Sequence, residues 1–252
     1  MKNSKRAGKR LKNIFFPMHW TNISNDPNSP EVIKRRKEAL KAARQKPVAN
    51  RIDYIKQLAA GKSVLDVGIV DHLIGHQHSL SWLHGQLASV ASKILGVDIL
   101  PEAVEQLKTE GYNVRLYDVT KQPLDEKFDL IVVGEVIEHL NNPCSLFESA
   151  KKMLAPGGRL VLTTPNPYYV ARIRDNLRFG FGSDSVDHVT LLFPFGISEL
   201  AERAGLKLDS WRGIKAATPP TAKGKMILNM LKLLPLSPES LCDAMIYECA
   251  SI

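Results

Sequence analysis

Two glutamates and a histidine lie close together in the segment "GEVIEHL", which spans residues 134–140. Glu135, Glu138 and His139 are spaced so that a strand ending near Glu135, followed by a helical turn, would direct all three side chains towards one side. Two carboxylates and an imidazole form a ligand set that suits Mn²⁺, Fe²⁺ or Zn²⁺ and tolerates Mg²⁺. Alternatively, Glu138 and His139 could act as a general-base pair. The sequence leaves both possibilities open.

Other histidines could join this site or form another. His188, in the segment "DSVDHVTLLF", is a fourth candidate beside the two glutamates and His139. A second group of histidines comprises His72, His76, His78 and His84. Their spacing is loose for a metal cluster. We therefore expect this second group to line the mouth of a binding site or to lie on the surface of a loop and helix.

The elements that must position these residues alternate between strand-like and helical runs. The strand-like runs are "SVLDVG", "KILGVDI", "NVRLYDV", "FDLIVVGE", "GRLVLTTP", "KLDSWRGI" and "DAMIYECA". Segments long enough for crossover helices separate the first five runs, so those five strands are predicted to be parallel. The pattern predicts an α/β fold with a doubly wound sheet.

Acidic residues close four of the predicted strands. They are Asp66, with Gly68 beyond it, in the first strand, Asp98 in the second, Asp118 in the third and Glu135 in the fourth. In open parallel sheets, ligands bind beyond the carboxyl ends of the strands, where the strand order reverses. An acidic residue closing the second strand can bind both ribose hydroxyls, and an aspartate with its neighbouring backbone can bind an adenine amine. Together these residues predict a nucleoside site.

At these motifs the chain resembles the class I S-adenosylmethionine (SAM)-dependent methyltransferases. The matching segments are "VLDVG", "GVDI", "YDV", "FDLIVVGEVIEHL", "KKMLAPGGRLVLTTPNP" and "LLFPFGISELAERAGL". The resemblance implies a Rossmann-like, seven-stranded sheet that is mostly parallel with an antiparallel last strand. It also implies the cofactor contacts: Asp66 and Gly68 near the methionine end of SAM, Asp98 at its ribose, and Asp118 with Val119 at its adenine. Ile99 and Glu135 are expected to be further cofactor contacts.

The first loop, "VLDVGIVDH", departs from the family pattern. Val70 and His72 stand where glycines are expected, and glycine lets a backbone approach a ligand closely. Asp66 and Asp98 are 32 positions apart, whereas about 20 is usual for the analogous dinucleotide unit. We therefore expect a rebuilt but functional loop, followed by a helix over residues 81–94.

A closer resemblance concerns the segment after the fourth strand. Ubiquinone-biosynthesis O-methyltransferases show a similar Glu-x-x-Glu-His segment and a later histidine followed five residues on by phenylalanine, as in His188 and Phe193. Small-RNA 3′-terminal 2′-O-methyltransferases look similar and hold a metal with two glutamates and two histidines. The resemblance implies that the ligands here would be Glu135, Glu138, His139 and His188. A metal that chelates a vicinal diol would lower the pKa of the attacking hydroxyl, and the alternative is a base role for His139 or His188.

Residues 166–190 are interpreted as a lid. Five side chains in it could hold a ring and an anionic group such as phosphate, namely Tyr168, Tyr169, Arg172, Arg174 and Arg178. Gly180 and Gly182 would allow the segment to move. The alternative is that these arginines are simply solvated on an ordinary helix.

The charge divides the chain into a basic N-terminal arm and helix, residues 1–47, and a methyltransferase-like domain, residues 48–252. Residues 1–46 hold 13 Lys/Arg and 3 Asp/Glu, a net charge of +10. The rest of the chain holds 21 Lys/Arg and 23 Asp/Glu, a net charge of −2. The arm, rich in cations and aromatic residues, suits an anionic membrane surface or nucleic acid, or is a solvated tail. Because the rest is net negative and no RNA-binding module is recognisable, nucleic acid is the less favoured partner.

Two helices outside the strand pattern are also predicted. "SPEVIKRRKEALKAARQKP" reads as one helix with Ser29 as its N-cap, Pro30 in its first turn and Pro47 beyond its end. A second helix is predicted over about 48–59. Later in the chain, "KGKMILNMLKLLPLSPE" predicts an amphipathic helix packed on the domain rather than embedded in lipid.

These features together predict a cytoplasmic enzyme. Three scattered cysteines exclude a disulfide framework, and no apolar run reaches the roughly 20 residues of a membrane span, although the arm could associate with the inner membrane face. The favoured activity is O-methylation of a hydroxylated small molecule, such as a sugar or glycan precursor or another diol-bearing metabolite. The alternatives are an RNA 2′-O-methyltransferase and a methyltransferase fold that binds without catalysing. The oligomeric state is not specified.

Overall fold

The protein folds around one seven-stranded sheet in the computed structural model, which describes residues 19–70, 79, 81–180, 185–216 and 221–252. The strands are β1 (Ser63–Val67), β2 (Lys93–Asp98), β3 (Val114–Leu116), β4 (Phe128–Gly134), β5 (Leu154–Pro165), β6 (Leu206–Lys215) and β7 (Cys242–Ser251). Each coincides with one of the predicted runs, although β3 is shorter than expected.

The strand order is β3-β2-β1-β4-β5-β7-β6. The first five strands are mutually parallel, and β7 runs antiparallel to both β5 and β6. The predicted doubly wound, mostly parallel sheet with an antiparallel last strand is therefore confirmed. The order reverses between β1 and β4, so the crevice beyond their carboxyl ends is where a ligand is expected.

Helices cover both faces of the sheet. Within the described ranges they are α1 (Pro30–Ala43), α2 (Arg51–Ala59), α3 (Leu83–Ala88), α4 (Pro101–Thr109), α5 (Pro143–Met153), α6 (Val170–Phe179), α7 (Pro194–Arg203) and α8 (Ala222–Lys232). Successive residues of a strand point to opposite faces. Accordingly, Leu65 packs in the core that contains Phe147 of α5, whereas Val64 packs in the core that contains Ile55 of α2.

The N-terminal helices begin where their capping residues dictate. The Ser29 hydroxyl accepts a hydrogen bond from the Val32 N–H, and Pro30 opens α1 as predicted. The Asn50 side chain accepts from the N–H groups of Ile52 and Asp53, so α2 begins at Arg51 rather than near residue 48.

The predicted helix over residues 81–94 is wrong in length, because α3 ends at Ala88. The next residues pair with the turn that precedes β1. The Gly61 N–H donates to the Val90 carbonyl, and the Ser92 N–H donates to the Lys62 carbonyl. These bonds turn the chain into β2 at Lys93, so no length remains for further helical turns.

The prediction that α8 packs its apolar side chains on the domain holds for only some of them. Met226 and Met230 are exposed, while Leu228 and Leu231 are only half-buried. The helix is apolar on its outward face as well as on the face towards the domain. Among the described residues, no helix is both long and apolar enough to cross a membrane.

Candidate active site

The turn after β4 has an unusual backbone. Glu135 follows the buried end of β4 and adopts a φ of 55°, a left-handed conformation that few residues other than glycine adopt. Its N–H donates to the Thr163 carbonyl of β5, which fixes the residue at the sheet edge. A 3-10 turn then spans Ile137–His139, with Ile137 fully buried beneath it.

Three of the four predicted ligands lie together. One ligand atom each from Glu138, His139 and His188 can be chosen so that all lie within 4.8 Å of one another. The two imidazole rings meet edge to face at 4.8 Å between centroids. The Glu138 carbonyl accepts from the N–H groups of Val189 and Thr190, so the chain beside His188 is bonded directly to the turn.

The Glu138 carboxylate is fully buried, and neither oxygen has a hydrogen-bond partner within the described part of the chain. Burial, with a smaller contribution from the charge of Glu135, raises the pKa of Glu138 to about 7. Burial and the neighbouring His139 lower the pKa of His188. An unsatisfied buried carboxylate beside two imidazoles is a donor set that fits Zn²⁺, Mn²⁺ or Fe²⁺, and it is equally a set that can move a proton near neutral pH.

Glu135 does not belong to this group. Its Oε1 atom lies 3.2 Å from the Arg51 guanidinium at the start of α2, which holds the side chain as an ion pair. It lines a cavity of about 410 Å³ together with Arg51, Pro165, Arg172, His188, Ile214, Asp243 and Ala244. His188 therefore lies in both places: it belongs to the histidine–carboxylate group and forms part of the cavity wall.

Gly68 is required by its surroundings at the end of β1. It adopts a φ of 74°, and a Cβ atom added to it would lie 2.2 Å from Cγ2 of Val136. Its N–H donates to the Val97 carbonyl of β2. The first loop therefore packs directly against the turn that carries Glu138.

Asp98 fastens the first loop to the end of β2. Its Oδ2 accepts from the Val70 N–H at 2.9 Å, and its Oδ1 accepts from the N–H groups of Ile99 and Leu100. Three of its acceptor positions are thus used by backbone amides, and one remains on Oδ2 for a ligand hydroxyl. The loop reaches Asp98 through the backbone of Val70, although Val70 is not a glycine.

Asp66 forms a buried pair with His84, a contact that the sequence did not indicate. The Nδ1 atom of His84 lies 3.0 Å from Oδ2 of Asp66, and both side chains are almost fully buried. Burial raises the pKa of Asp66, and the His84 contact opposes that change. A Cβ at Gly96 would lie 2.7 Å from the His84 ring. A glycine inside a buried strand was the available signal, because it marks a close approach.

The other predicted histidines, His72, His76 and His78, lie outside the described residues. The structure accordingly bears only on His84 from that group. It is neither on the surface nor at the mouth of the site, because its side chain packs beneath the first loop between Asp66 and Gly96.

The residues predicted to hold adenine form a capped turn and an apolar surface. The Asp118 Oδ1 accepts from the N–H and hydroxyl of Thr120, and Lys121 lies 3.2 Å from Oδ2. Partial burial opposes ionisation of Asp118, but these contacts outweigh it and lower its pKa. The Val119 side chain is buried, while Ile99 and Leu116 are exposed at the ends of β2 and β3. An aromatic ring could pack on these two exposed side chains.

In the predicted lid, only one of the three arginines lines the cavity. Arg172 is buried, and its guanidinium donates to the Asn166 carbonyl. Arg174 pairs with Asp175, and Arg178 lies over the Phe179 ring. Of the three arginines, therefore, only Arg172 is placed to contact a molecule in the cavity.

Residues 35–210 match the family model of the methyltransferase domain. The chain belongs to this methyltransferase family. It is therefore a SAM-dependent methyltransferase, and the membership favours an enzyme over the non-catalytic hypothesis. The crevice beyond β1, β2 and β4 is where the family resemblance expects the cofactor.

Among curated relatives, the methyltransferase is similar to ubiquinone biosynthesis O-methyltransferases. The protein from Hydrogenovibrio crunogenus is 25% identical over 183 residues, which cover 65% of this chain and 70% of the relative. The protein from Dechloromonas aromatica is 27% identical over 153 residues, covering 60% and 62%. The chain thus spans less than two thirds of the length of some of these relatives, as for that from Xanthomonas oryzae at 59%.

Solved structures show the same fold at low identity. The TehB-like SAM-dependent methyltransferase from Corynebacterium glutamicum superposes with a TM-score of 0.51 at 20% identity, covering 90% of this chain and 100% of the other. The CcbJ methyltransferase from Streptomyces caelestis gives a TM-score of 0.53 at 15% identity, covering 79% and 87%. The Rossmann-like methyltransferase fold expected from the sequence is confirmed.

Proposed function

We propose that the methyltransferase transfers the SAM methyl group to a hydroxyl of a small, diol-bearing acceptor bound in the cavity beside His188. The observation that carries this proposal is that His188 lines the cavity of about 410 Å³ and also belongs to the group with Glu138 and His139. An acceptor in that cavity would place a hydroxyl against the reactive side chains. The O-methyltransferase relatives support oxygen as the attacked atom.

The cavity lining favours a polar acceptor with little net charge. Arg51 and Arg172 contribute two cations, while Glu135 and Asp243 contribute two carboxylates. Two donors and two acceptors arranged around one volume match a molecule with several hydroxyls, because each hydroxyl both donates and accepts. This balance supports a sugar or similar polyol over a multiply charged phosphate, although the relatives lend the sugar no separate support.

The chemical step needs a proton acceptor on the hydroxyl and a methyl group in line with its oxygen. SAM, when bound, supplies a methyl group on a sulfonium sulfur, and the products are the methyl ether and S-adenosylhomocysteine. In the base form of the proposal, the His188 imidazole accepts the hydroxyl proton as the oxygen attacks. The His139 ring packs edge to face against that imidazole, and the nearby Glu138 carboxylate, when ionised, would stabilise the positive charge that develops on it.

The same residues could instead hold a divalent metal. Glu138, His139 and His188 would be its ligands, and the unsatisfied Glu138 carboxylate fits that role. A bound cation would lower the pKa of a chelated hydroxyl. Glu135, paired with Arg51, is left out of the proposed set.

The experiment measures methyl transfer from labelled SAM to a panel of polyols and catechols by wild type, His188→Ala and Glu138→Gln. We expect both variants to lose about 100-fold or more in rate, as for removal of a general base or metal ligand. Affinity for S-adenosylhomocysteine, measured by calorimetry, should change little. Arg178→Ala is the matched control, because Arg178 is exposed on α6 and does not line the cavity.

A chelator separates the two forms of the proposal. If activity survives exhaustive chelation but is lost in His188→Ala, the base form stands. If activity is lost on chelation and returns with Mn²⁺ or Zn²⁺, the metal form stands. Full activity in both variants would contradict the proposal.

The partners predicted for the N-terminal arm remain predictions, because residues 1–18 lie outside the described residues. An RNA acceptor would use the same hydroxyl chemistry, and its test is methylation of single-stranded RNA with a steep loss of binding as salt increases. Association of the arm with an anionic membrane is tested by the same salt dependence with lipid vesicles.

A further inference from the structure

The strand ends on either side of the α8 segment lie at the wall of the acceptor cavity. Ile214 of β6 pairs with Ala244 of β7, which in turn pairs with Pro165 of β5, and all three residues line the cavity. The next pair in β6 and β7 joins Lys215 to Cys242. The segment that carries α8 therefore starts and ends next to residues of the cavity wall.

The outward face of α8 is apolar. Met226, Met230 and Leu233 are 57%, 61% and 86% exposed, and they follow one another at spacings of four and three residues. That spacing places them along one stripe of the helix. Leu234 and Leu236, just beyond the helix, are exposed as well. A contiguous apolar surface of this kind marks an interaction site on a folded protein.

All the charged side chains in the segment around α8 are positive. Lys215, Lys223, Lys225 and Lys232 lie in residues 215–238, which contain no Asp or Glu. The three lysines of α8 are exposed beside the apolar stripe. An amphipathic helix with exposed apolar side chains and only cations is the composition that binds at the surface of an anionic bilayer.

The positive charge of α8 also argues against two other partners for its apolar stripe, namely the N-terminal arm and a second copy of the helix. The first 12 residues of the chain hold six Lys/Arg and no Asp or Glu, so like charges would repel this arm from the lysines of α8. A second copy of α8 would likewise bring lysines against lysines. An anionic lipid surface complements both the apolar stripe and the cations.

We propose that α8 docks the methyltransferase on an anionic lipid bilayer, with the rim of the acceptor cavity turned towards the membrane. The stripe of Met226, Met230 and Leu233 enters the headgroup region, and Lys223, Lys225 and Lys232 contact anionic headgroups. This surface is distinct from the N-terminal arm and does not depend on which acceptor is methylated.

The first test changes the apolar stripe in the full chain. Co-sedimentation is measured with vesicles of phosphatidylcholine alone and of phosphatidylcholine mixed with phosphatidylglycerol. We expect Met230→Glu/Leu233→Glu to weaken binding to the mixed vesicles by about ten-fold or more. Ile252→Glu is the control, since Ile252 is an exposed apolar residue at the opposite end of β7 from Cys242, and it should bind like wild type.

The second test changes charge alone. Lys225→Glu/Lys232→Glu should lose about ten-fold or more in binding to the mixed vesicles, since each lysine near an anionic surface contributes about 1 kcal/mol. Binding to phosphatidylcholine alone should stay weak and unchanged. Lys37→Glu/Lys41→Glu, which reverses two exposed lysines on α1, controls for the same change in net charge.

Three outcomes would overturn the proposal. The first is absence of wild-type binding to the mixed vesicles, and the second is unchanged binding in both α8 variants, which would assign any binding to the arm. The third is a change of oligomeric state in the stripe variant without vesicle binding, which would assign the face to a second copy. Circular dichroism and S-adenosylhomocysteine affinity, unchanged in all variants, separate these outcomes from misfolding and from failure of the proposed chemistry.

Discussion

At the residue scale, the buried carboxylate of Glu138 links the fold to the chemistry. A carboxylate that has lost water and gained no hydrogen bond is costly while it is ionised. The turn after β4 nevertheless holds Glu138 in place, because Ile137 is buried beside it and its own carbonyl accepts two N–H groups from the chain after His188. The cost is thus imposed by the rest of the structure at the point where reactivity is useful.

The raised pKa of Glu138 predicts how stability varies with pH. The folded protein holds this proton up to a pKa of about 7, against an ordinary value of 4.5. The contribution of Glu138 to stability therefore falls as pH rises from about 4.5 through 7. Relative to Glu138→Gln, wild type should lose up to about 3 kcal/mol of unfolding free energy between pH 4 and pH 8, measured by urea unfolding with a chelator present.

Glu148→Gln is the control for this measurement, because Glu148 is an exposed carboxylate on α5. Its unfolding free energy should follow that of wild type at every pH. A constant difference between wild type and Glu138→Gln across the range would contradict a raised pKa. Added Mn²⁺ or Zn²⁺ that selectively stabilises wild type at high pH would favour the metal form of the proposed function.

Sequence patterns predicted which residues gather at the sheet edge better than they predicted what each residue contacts. The strand ends placed Asp98 and Glu135 correctly at the carboxyl edge. Asp98 accepts from the Val70 amide because of where the first loop lies, and Glu135 pairs with Arg51 because of where α2 begins. Neither position has a local signal in the sequence. The His84–Asp66 pair was missed as well, because the two residues are 18 positions apart and the one signal, Gly96, indicates a close approach without naming the residue that makes it.

At the element scale, the first loop and the turn after β4 are fitted to each other through Gly68 and Val136. Gly68→Ala should destabilise the protein by about 2 kcal/mol or more and weaken S-adenosylhomocysteine binding, because a Cβ there collides with Val136. The measurements are urea unfolding and calorimetry.

Gly61→Ala separates strain from collision. Gly61 has a φ of 70°, close to that of Gly68, but no atom lies within 4 Å of its added Cβ. It should cost only the backbone strain of about 1 kcal/mol and leave ligand affinity unchanged. Equal losses at the two glycines would show that the contact with Val136 is unimportant.

The strands and α1 were predictable because their signals are local. Apolar runs fix the strands, and Ser29 with Pro30 fixes the start of α1. The end of α3 was not predictable, because it depends on hydrogen bonds to the turn at Gly61. The exposure of α8 was not predictable either, because it depends on whether another surface covers the helix. Periodicity reports an apolar face, but not what covers it.

At the scale of the whole molecule, α1 is bound to the edge of the sheet farthest from β3. Arg36 is buried and pairs with both Glu199 and Glu202 of α7. The Trp211 indole of β6 donates to the Leu40 carbonyl at 2.8 Å. The helix therefore packs on α7 and β6, and its contacts should contribute to global stability.

Arg36→Met should lower the unfolding free energy by about 2 kcal/mol or more, because it removes the cation paired with Glu202 and leaves Glu199 with only its more exposed partner Arg203 and His19. Arg35→Met is the matched control on the next residue of the helix, since Arg35 forms an exposed pair with Glu31. Its effect should stay below about 0.5 kcal/mol in urea unfolding. Equal small effects would mean that α1 is not coupled to the stability of the domain.

The position of Trp82 has an optical consequence. Its indole is buried, donates to the Ile69 carbonyl of the first loop at 2.7 Å and meets the Tyr112 ring edge to face. Trp20 and Trp211 lie instead beside α7 and α1, across the sheet. One fluorophore thus lies beside the first loop, and the other two lie at the far edge of the sheet. Tryptophan emission can follow rearrangement of the loop separately from detachment of α1, with no label attached.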